Sequence, residues 1–376
     1  MRVAVLGAGG TIAPAIVRDL AESDEVDGLV LLDLDESRAE QVASLHGGIK
    51  AQAALADARA APESPGSLAR ALEGCDALVN SASYRVNLDA MAACLRAGCH
   101  YLDLGGLYWM TDLQFELSPH FERQGLLALL GIGSAPGKTN LMALRALGEL
   151  DARGEDHAGG VDSIQIAAAG RDLDPPPGFS VPYALRTLLD ELTLRPVVLR
   201  EGEPEEIEPL ADGGTVDFGP PIGSAPTIYT LHSELRTFGE SFDASEVAFR
   251  LSLPASLHER LRELVEASDE EVERMAATTA RPSPRTVSVH VVDVTGSGRA
   301  VRVRAVTEPM ERWGLGGGVV STAAPAAAAI RLLARGEIAA RGVLPPERCI
   351  DPGEMFIELE RRACRIEVVQ REEVSA

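Results

Sequence analysis

The chain has 376 residues, about two and a half times a typical ~150-residue domain, so two domains are expected. With 45% hydrophobic and 24% charged residues, its composition is that of an ordinary globular protein, which excludes coiled-coil, collagen-like and disordered classes. The 57 acidic residues against 35 basic ones leave a formal charge of -22. Such a charge repels a phosphate backbone and an anionic membrane surface alike, so nucleic-acid and membrane partners are not expected.

The first third alternates. Arg2-Val3-Ala4-Val5-Leu6 is a short apolar run that breaks at Gly7-Ala8-Gly9-Gly10, and residues 11–21 follow with helical apolar spacing. A second strand over 28–32 closes at Asp33, a helix covers 36–45, and a weaker strand over 51–55 leads to Asp57. Next come a short helix over 67–72, a buried strand over 77–79 ending at Asn80, a helix over 88–97 closed by Gly98, and a strand over 100–102 ending at Asp103. A helix around 113–124 and a strand over 126–130 reach Gly131-Ile132-Gly133. Parallel strands need crossover connections, so this rhythm predicts an α/β fold with a Rossmann-type doubly wound parallel sheet and helices on both faces.

After Asp151 the rhythm changes. A strand over 163–169, a proline-rich loop over 174–178 and a helix over 182–192 precede strand-like segments at 195–200, 227–231, 247–253, 286–294 and 300–306, with a helix over 256–267. These segments predict a second α+β domain with a mainly antiparallel sheet. Gly316-Gly317-Gly318 then leads into an alanine-rich helix over 326–334 closed by Gly336.

Cys75, Cys94, Cys99, Cys349 and Cys364 form an odd set with no Cys-x-x-Cys pair and no histidine at zinc-ligand spacing, so neither a disulfide framework nor a metal is expected. Residues from Arg2 onward already read as a strand, with no basic and apolar leader, and the expected location is cytoplasmic.

The first turn, Gly7-Ala8-Gly9-Gly10-Thr11-Ile12, follows a strand and opens a helix, where glycines let a pyrophosphate approach backbone N–H groups. Ile12 stands where a third glycine commonly packs helix on strand. Asp33 at the end of the second strand can accept from both ribose hydroxyls and would repel a 2′-phosphate, which favours NAD over NADP, although Arg38 in the next helix could reach such a phosphate. Asp57, Asn80 and Asp103 end the next strands on the same edge, where ligands of open α/β sheets bind; each could also only cap a helix.

The segment from Gly131 to Asn140 includes Gly137-Lys138-Thr139 but lacks the preceding glycine of a phosphate loop, so an NTPase is excluded. It fits better as a link between domains, with Gly133 near the nicotinamide. In the second domain, Tyr229-Thr230-Leu231-His232-Ser233-Glu234 holds the most reactive-looking group. His232 can take a proton at neutral pH, oriented by Glu234 or Ser233, though it could equally be a buried or solvated histidine.

The ordered set of Gly7-Ala8-Gly9-Gly10, the stretch from Leu78 to Gly106, the stretch from Gly133 to Asn140, Phe179-Ser180, Leu188-Leu189-Asp190-Glu191, Tyr229 to Glu234 and Gly342 to Glu347 resembles the saccharopine dehydrogenase family, especially its L-lysine 6-dehydrogenase-like members. The resemblance spans nearly the whole chain. It implies a Rossmann domain over 1–140 and 320–376 interrupted by a substrate and dimerisation domain over 141–319, and a homodimer. It implies NAD(P)-dependent chemistry at the C–N bond of an amino acid or related amine. Gly7, Gly9, Gly10 and Asp33 fall on cofactor positions, and Asp103, Gly133, Asn140, His232 and Glu234 near the expected cleft.

The chemistry then assigns roles. Hydride leaves a carbon bearing nitrogen only when the nitrogen lone pair is free, so a base must first take the ammonium proton. His232 is the expected base; Glu234 and Asp103 would hold a cationic substrate, and Ser180 and Arg171 its carboxylate, with Asn140 and Tyr229 also lining the substrate site. Reductive condensation with NADPH, forming saccharopine or a carboxylated polyamine, and a non-catalytic nucleotide-binding regulator are the alternatives.

Overall fold

A computed structural model describes residues 1–151, 161–175, 181, 185–254, 257, 259, 267–278 and 283–373. The chain divides into two compact units, Met1–Gly137 with Thr322–Glu358, and Lys138–Ser321 with Leu359–Ala376.

The first unit is built on seven strands: β1 (Arg2–Leu6), β2 (Gly28–Asp33), β3 (Ala51–Leu55), β4 (Ala77–Asn80), β5 (His100–Asp103), β6 (Leu127–Leu129) and β15 (Gly342–Leu344), in the order β15-β6-β5-β4-β1-β2-β3. Every pairing is parallel, which gives the doubly wound sheet expected from the alternation. β1 and β4 are buried almost throughout because helices cover both faces, so their sequences are continuous apolar runs. The expected helix over 113–124 is two helices, Leu107–Phe115 and Ser118–Arg123. Pro119 stands in the first turn of the second, where its missing N–H costs nothing.

The helix Gly317–Ala334 is long and apolar enough to cross a membrane, but 83% of it is buried inside the protein, as in a core helix. Its Arg331 is buried and paired with Asp19 at 2.9 Å and Glu358 at 2.7 Å. This pairing ties the returning C-terminal segment to the first helix, Ala13–Ala21.

The second unit carries a nine-stranded sheet with β7 (Val161–Asp172) at its centre. The others are β8 (Val197–Arg200), β9 (Glu203–Glu206), β10 (Asp212–Asp217), β11 (Ser224–Tyr229), β12 (Ala244–Ser252), β13 (Thr286–Gly296), β14 (Arg299–Thr307) and β16 (Cys364–Glu373). The order is β10-β11-β12-β7-β13-β14-β16, with β8 and β9 beside β12. Among the described residues of this unit, only β12 and β7 pair in parallel; the other pairings are antiparallel. The final strand departs from the expected Rossmann half over 320–376: the first unit ends at Glu358, and β16 pairs with β14 in the second sheet. Its ladder partner lies almost sixty residues upstream, a long-range choice that sequence periodicity does not encode. Most of the helix expected over 256–267 and the first residues of the one over 182–192 lie outside the described residues; the latter is seen as Leu185–Thr193.

Residues opposite one another on neighbouring strands share a sheet face. Phe249 pairs with Ile166, Ile166 with Val292, and His290 with Ala168 and Ala305, so Phe249, His290 and, two residues beyond Ala305, Thr307 lie on one face. The opposite face holds Ala167, Ala169, Val287, Val289, Val291 and Val306 in a core with Phe218. The helix Lys138–Asp151 packs against β13 and β14 and contacts Thr307 through Lys138, so it covers the first face.

Candidate functional site

In the first unit the glycine turn has the backbone that its sequence requires. Gly7 has φ +75°, and a Cβ there would lie 2.7 Å from the Ala82 nitrogen. A Cβ on Gly9 would meet the Arg38 side chain at 2.7 Å. The Gly7 and Ala8 N–H groups donate to the Leu32 carbonyl at 2.8 and 3.1 Å, which holds the turn over the end of β2. The N–H groups of Thr11, Ile12 and Ala13 have no acceptor among the described residues. A bare cradle at the start of the helix Ala13–Ala21 fits a pyrophosphate. Ile12 occupies the N-cap position, half-buried.

Asp33 is already engaged. Its Oδ2 accepts from the Gly9 N–H at 2.8 Å and its Oδ1 from the Asp35 N–H at 3.0 Å. Arg38 donates from Nη2 to the Gly9 carbonyl at 2.8 Å, which sets a guanidinium beside the carboxylate at the turn. Ribose hydroxyls and a 2′-phosphate would thus each find a partner there.

The other strand-end residues form a closed network. Asp103 is buried, and its carboxylate accepts from Tyr101 Oη (3.0 Å), Gln114 Nε2 (2.7 Å), Asn87 Nδ2 (3.2 Å) and the Gly105 and Gly131 N–H groups (3.0 and 2.7 Å). Burial pushes this carboxyl above its ordinary value, and the hydrogen bonds from Gln114, Gly131, Tyr101 and Gly105 oppose that push. Asn80, also buried, donates to Asn87 Oδ1 at 2.9 Å and Tyr101 Oη at 3.3 Å, and accepts from the Ala82 N–H at 3.1 Å. The expectation that Asp103 holds a cationic substrate is corrected: no face of its carboxylate is left for one. Asp57 accepts from the Arg59 N–H two residues on at 2.9 Å, a local turn of the capping kind.

Gly133 and Gly137 shape the loop that ends the first unit. A Cβ on Gly137, which has φ +119°, would lie 2.5 Å from the Gly133 nitrogen. Gly133 donates its N–H to the Pro136 carbonyl at 2.9 Å, which closes the loop on itself.

The second unit holds the reactive cluster. Ser233 precedes the helix Glu234–Phe242 without a side-chain capping bond, and Glu234 sits in the first turn, fully buried. Its Oε1 accepts from Thr139 Oγ1 at 2.9 Å and its Oε2 meets His232 Nδ1 at 3.1 Å. The His232 ring stacks on Phe249, with centroids 3.5 Å apart and planes 18° from parallel. Burial pushes the His232 pKa down, but the Glu234 carboxylate, by charge and hydrogen bond, and the charge of Glu191 outweigh it and leave the pKa above the ordinary histidine value. Carboxylate and ring stack fix the imidazole, and Nε2 makes no hydrogen bond among the described residues. A fixed histidine with one open nitrogen can move a proton.

The remaining expected residues are dispersed. Asn140 is buried and donates to Thr237 Oγ1 at 3.3 Å, joining two helices. Tyr229 pairs with Arg250, and Arg171 with Val287, which puts both on the sheet face opposite Phe249. Their assignment to a substrate site with His232 is therefore corrected, because a side-chain period of two sends them to the other face. Arg171 instead donates to the Pro221 carbonyl at 3.0 Å. Ser180 lies outside the described residues. Sequence reasoning missed Lys138, Thr139, Glu191 and His290 as members of the cluster. His290 alone left a signal, a polar residue in the apolar strand Thr286–Gly296.

A parallel sheet whose first turn presents three open N–H groups defines a dinucleotide-binding domain. Residues 3–129 match the family model described as the saccharopine dehydrogenase NADP binding domain, which supports an NAD(P) cofactor. A carboxyaminopropylagmatine dehydrogenase from Synechocystis sp. is 27% identical over 244 residues, which cover 63% of this chain and 58% of that protein. The aligned stretch thus spans less than two thirds of that relative's length. The fold matches that of apo saccharopine dehydrogenase (L-Glu forming) from Saccharomyces cerevisiae over 98% of this chain and all of that one, with a TM-score of 0.67 at 14% identity.

Proposed function

We propose that the protein is an NAD(P)-dependent oxidoreductase acting on a C–N bond of an amino acid or carboxylated polyamine, with His232 as the proton-transfer residue. The observation that carries this reading is the buried His232, clamped by Glu234 and Phe249 with Nε2 open. The Synechocystis relative, named as a carboxyaminopropylagmatine dehydrogenase, supports the carboxylated-polyamine class.

The turn at Gly7, Gly9 and Gly10 would hold the nucleotide's pyrophosphate on the Thr11, Ile12 and Ala13 N–H groups, and Asp33 with Arg38 its adenosine ribose. The nicotinamide, when bound, accepts or donates hydride at the carbon that bears nitrogen. In the reductive direction the His232 imidazolium, favoured by its raised pKa, gives the Nε2 proton to the nitrogen as the C=N bond becomes C–N. In the oxidative direction neutral His232 takes the ammonium proton and frees the lone pair. Glu234 stabilises the imidazolium in both, and Thr139 keeps Glu234 in place.

Turnover measured by nicotinamide absorbance, with lysine, diamines, carboxylated polyamines and saccharopine in both directions, tests the reading. His232→Ala is expected to lose more than about tenfold in turnover while nucleotide binding persists. Unchanged turnover would sink the assignment. Arg38→Ala is expected to weaken NADPH more than NADH; equal weakening removes Arg38 from phosphate recognition.

A further inference from the structure

The ladder between β11 and β12 sets what stands beside His232. Ile228 pairs with Leu251 and Tyr229 with Arg250, so one residue further along the antiparallel register Thr230 comes level with Phe249. Thr230, Phe249 and Ile228 therefore share a face, and His232 stacks on the Phe249 ring. Two residues of extended chain span at most about 7 Å, which bounds the distance between the Thr230 and His232 Cα atoms. The helix Leu185–Thr193 covers this face: Leu188 and Leu189 cluster with Ile228 and Leu251, and the Glu191 carbonyl accepts from the Leu231 N–H at 3.4 Å. Inside this enclosure Thr230 is 1% exposed, and its Oγ1 has no hydrogen-bond partner among the described residues. An unpaired buried hydroxyl costs stability, and valine would fill the same space without that cost. An open hydroxyl beside the open His232 Nε2 calls for a ligand that bonds to both.

We propose that Thr230 Oγ1 and His232 Nε2 together form the subsite for the reacting nitrogen, and that this subsite takes an amine with at least two N–H bonds in its protonated form. It therefore selects primary and secondary amines over tertiary ones. The proposal rests on the reading of the protein as an oxidoreductase at a C–N bond with His232 moving the proton. Glu234, 3.1 Å from His232 Nδ1, and the buried Glu191 on the covering helix give the enclosure a negative charge that suits an ammonium. In the oxidative direction one N–H of the ammonium donates to His232 Nε2, which takes that proton, and a second N–H donates to the Thr230 hydroxyl, which accepts through a lone pair. The nitrogen lone pair left behind points at His232. The hydrogen bond to Thr230 fixes rotation about the C–N bond, so that lone pair stays aligned with the C–H bond that loses its hydride. As the hydride leaves with its electron pair, the nitrogen lone pair becomes the second C=N bond and the other hydrogen stays on nitrogen, still held by Thr230.

Wild type, Thr230→Val and Thr230→Ser, assayed by nicotinamide absorbance on the best amine of the panel and on its tertiary N-methylated analogue, test the subsite. Thr230→Val is expected to lose about tenfold or more in kcat/KM on the parent amine, the size of a hydrogen bond to a charged group, and Thr230→Ser to stay within about threefold of wild type. In wild type the tertiary analogue is expected to be poorer than the parent by about tenfold or more, and in Thr230→Val that gap should shrink by at least about threefold, because the bond that methylation removes is already gone. A merely structural role for Thr230 would leave the gap unchanged. An unchanged kcat/KM or an unchanged gap in folded Thr230→Val overturns the proposal, as does a serine variant as poor as the valine one, which would assign the loss to packing. If Thr230→Val does not fold, Thr230→Ala against Thr230→Ser carries the same comparison. A wild type that turns over no amine in either direction removes the underlying reading and the subsite with it, whereas an active wild type matched by Thr230→Val removes the subsite alone.

Discussion

Each unit buries a polar cluster, and the two are built on opposite principles. Around Asp103 in the first unit, both carboxylate oxygens are occupied by five hydrogen bonds from side chains and strand-end N–H groups. Around His232 in the second, Nε2, His290 Nδ1 and Thr230 Oγ1 have no partner among the described residues. Full satisfaction makes a rigid joint, and incomplete satisfaction at a cost in stability marks a place kept ready for chemistry. Residue type alone would have ranked the two clusters alike, since each centres on a titratable group.

Breaking the closed cluster should give the largest effect. Asp103→Ala strands the Gly105 and Gly131 N–H groups and takes an acceptor from Tyr101, Gln114 and Asn87, and is expected to cost about 3–5 kcal/mol in urea unfolding. A cost below about 1 kcal/mol would show that the network is not a joint.

An intermediate effect is expected at Glu234. With Glu234→Gln, the largest pull that raises the His232 pKa is lost and burial prevails, so the NMR midpoint should fall below the ordinary histidine value. Because a raised histidine pKa stabilises the fold below the unfolded value and is lost as pH rises through the folded one, the two proteins should differ most in stability at acid pH and converge above the raised midpoint. Turnover should drop about tenfold or more, chiefly in the reductive direction at neutral pH. A midpoint that stays high would transfer control to Glu191.

The smallest effect sharpens the contrast. Thr230→Val removes an orphaned buried hydroxyl and is expected to leave thermal stability unchanged or raise it by about 0.5–1 kcal/mol. If turnover falls while stability does not, that hydroxyl serves a ligand; a loss of stability would show that it has a structural partner.

Much of the first unit was legible in the sequence. Strand and helix periods, Gly98 at a helix end and the glycine turn after β1 are local signals, and the Rossmann topology follows from short-range crossover rules. The split helix at Pro119 was legible in principle, since the proline itself marks the break. The short edge strand β15 was not, because three residues carry too little periodicity. In the second unit, the acidic strands β9 and β10 left no alternating apolar pattern and went unread.

The candidate site divides along the same line. Sequence alone placed the glycine turn, Asp33 and the neighbouring His232 and Glu234, because each depends on residues close together in the chain. Only the tertiary structure decided that Asp103 is a structural joint, that Arg171 and Tyr229 lie across the sheet from His232, and that Lys138 and His290 lie on its side. The faces of Arg171 and His290 turn on the register of β7 with β13, segments more than a hundred residues apart, where a shift of one residue exchanges the faces and no local preference fixes the choice.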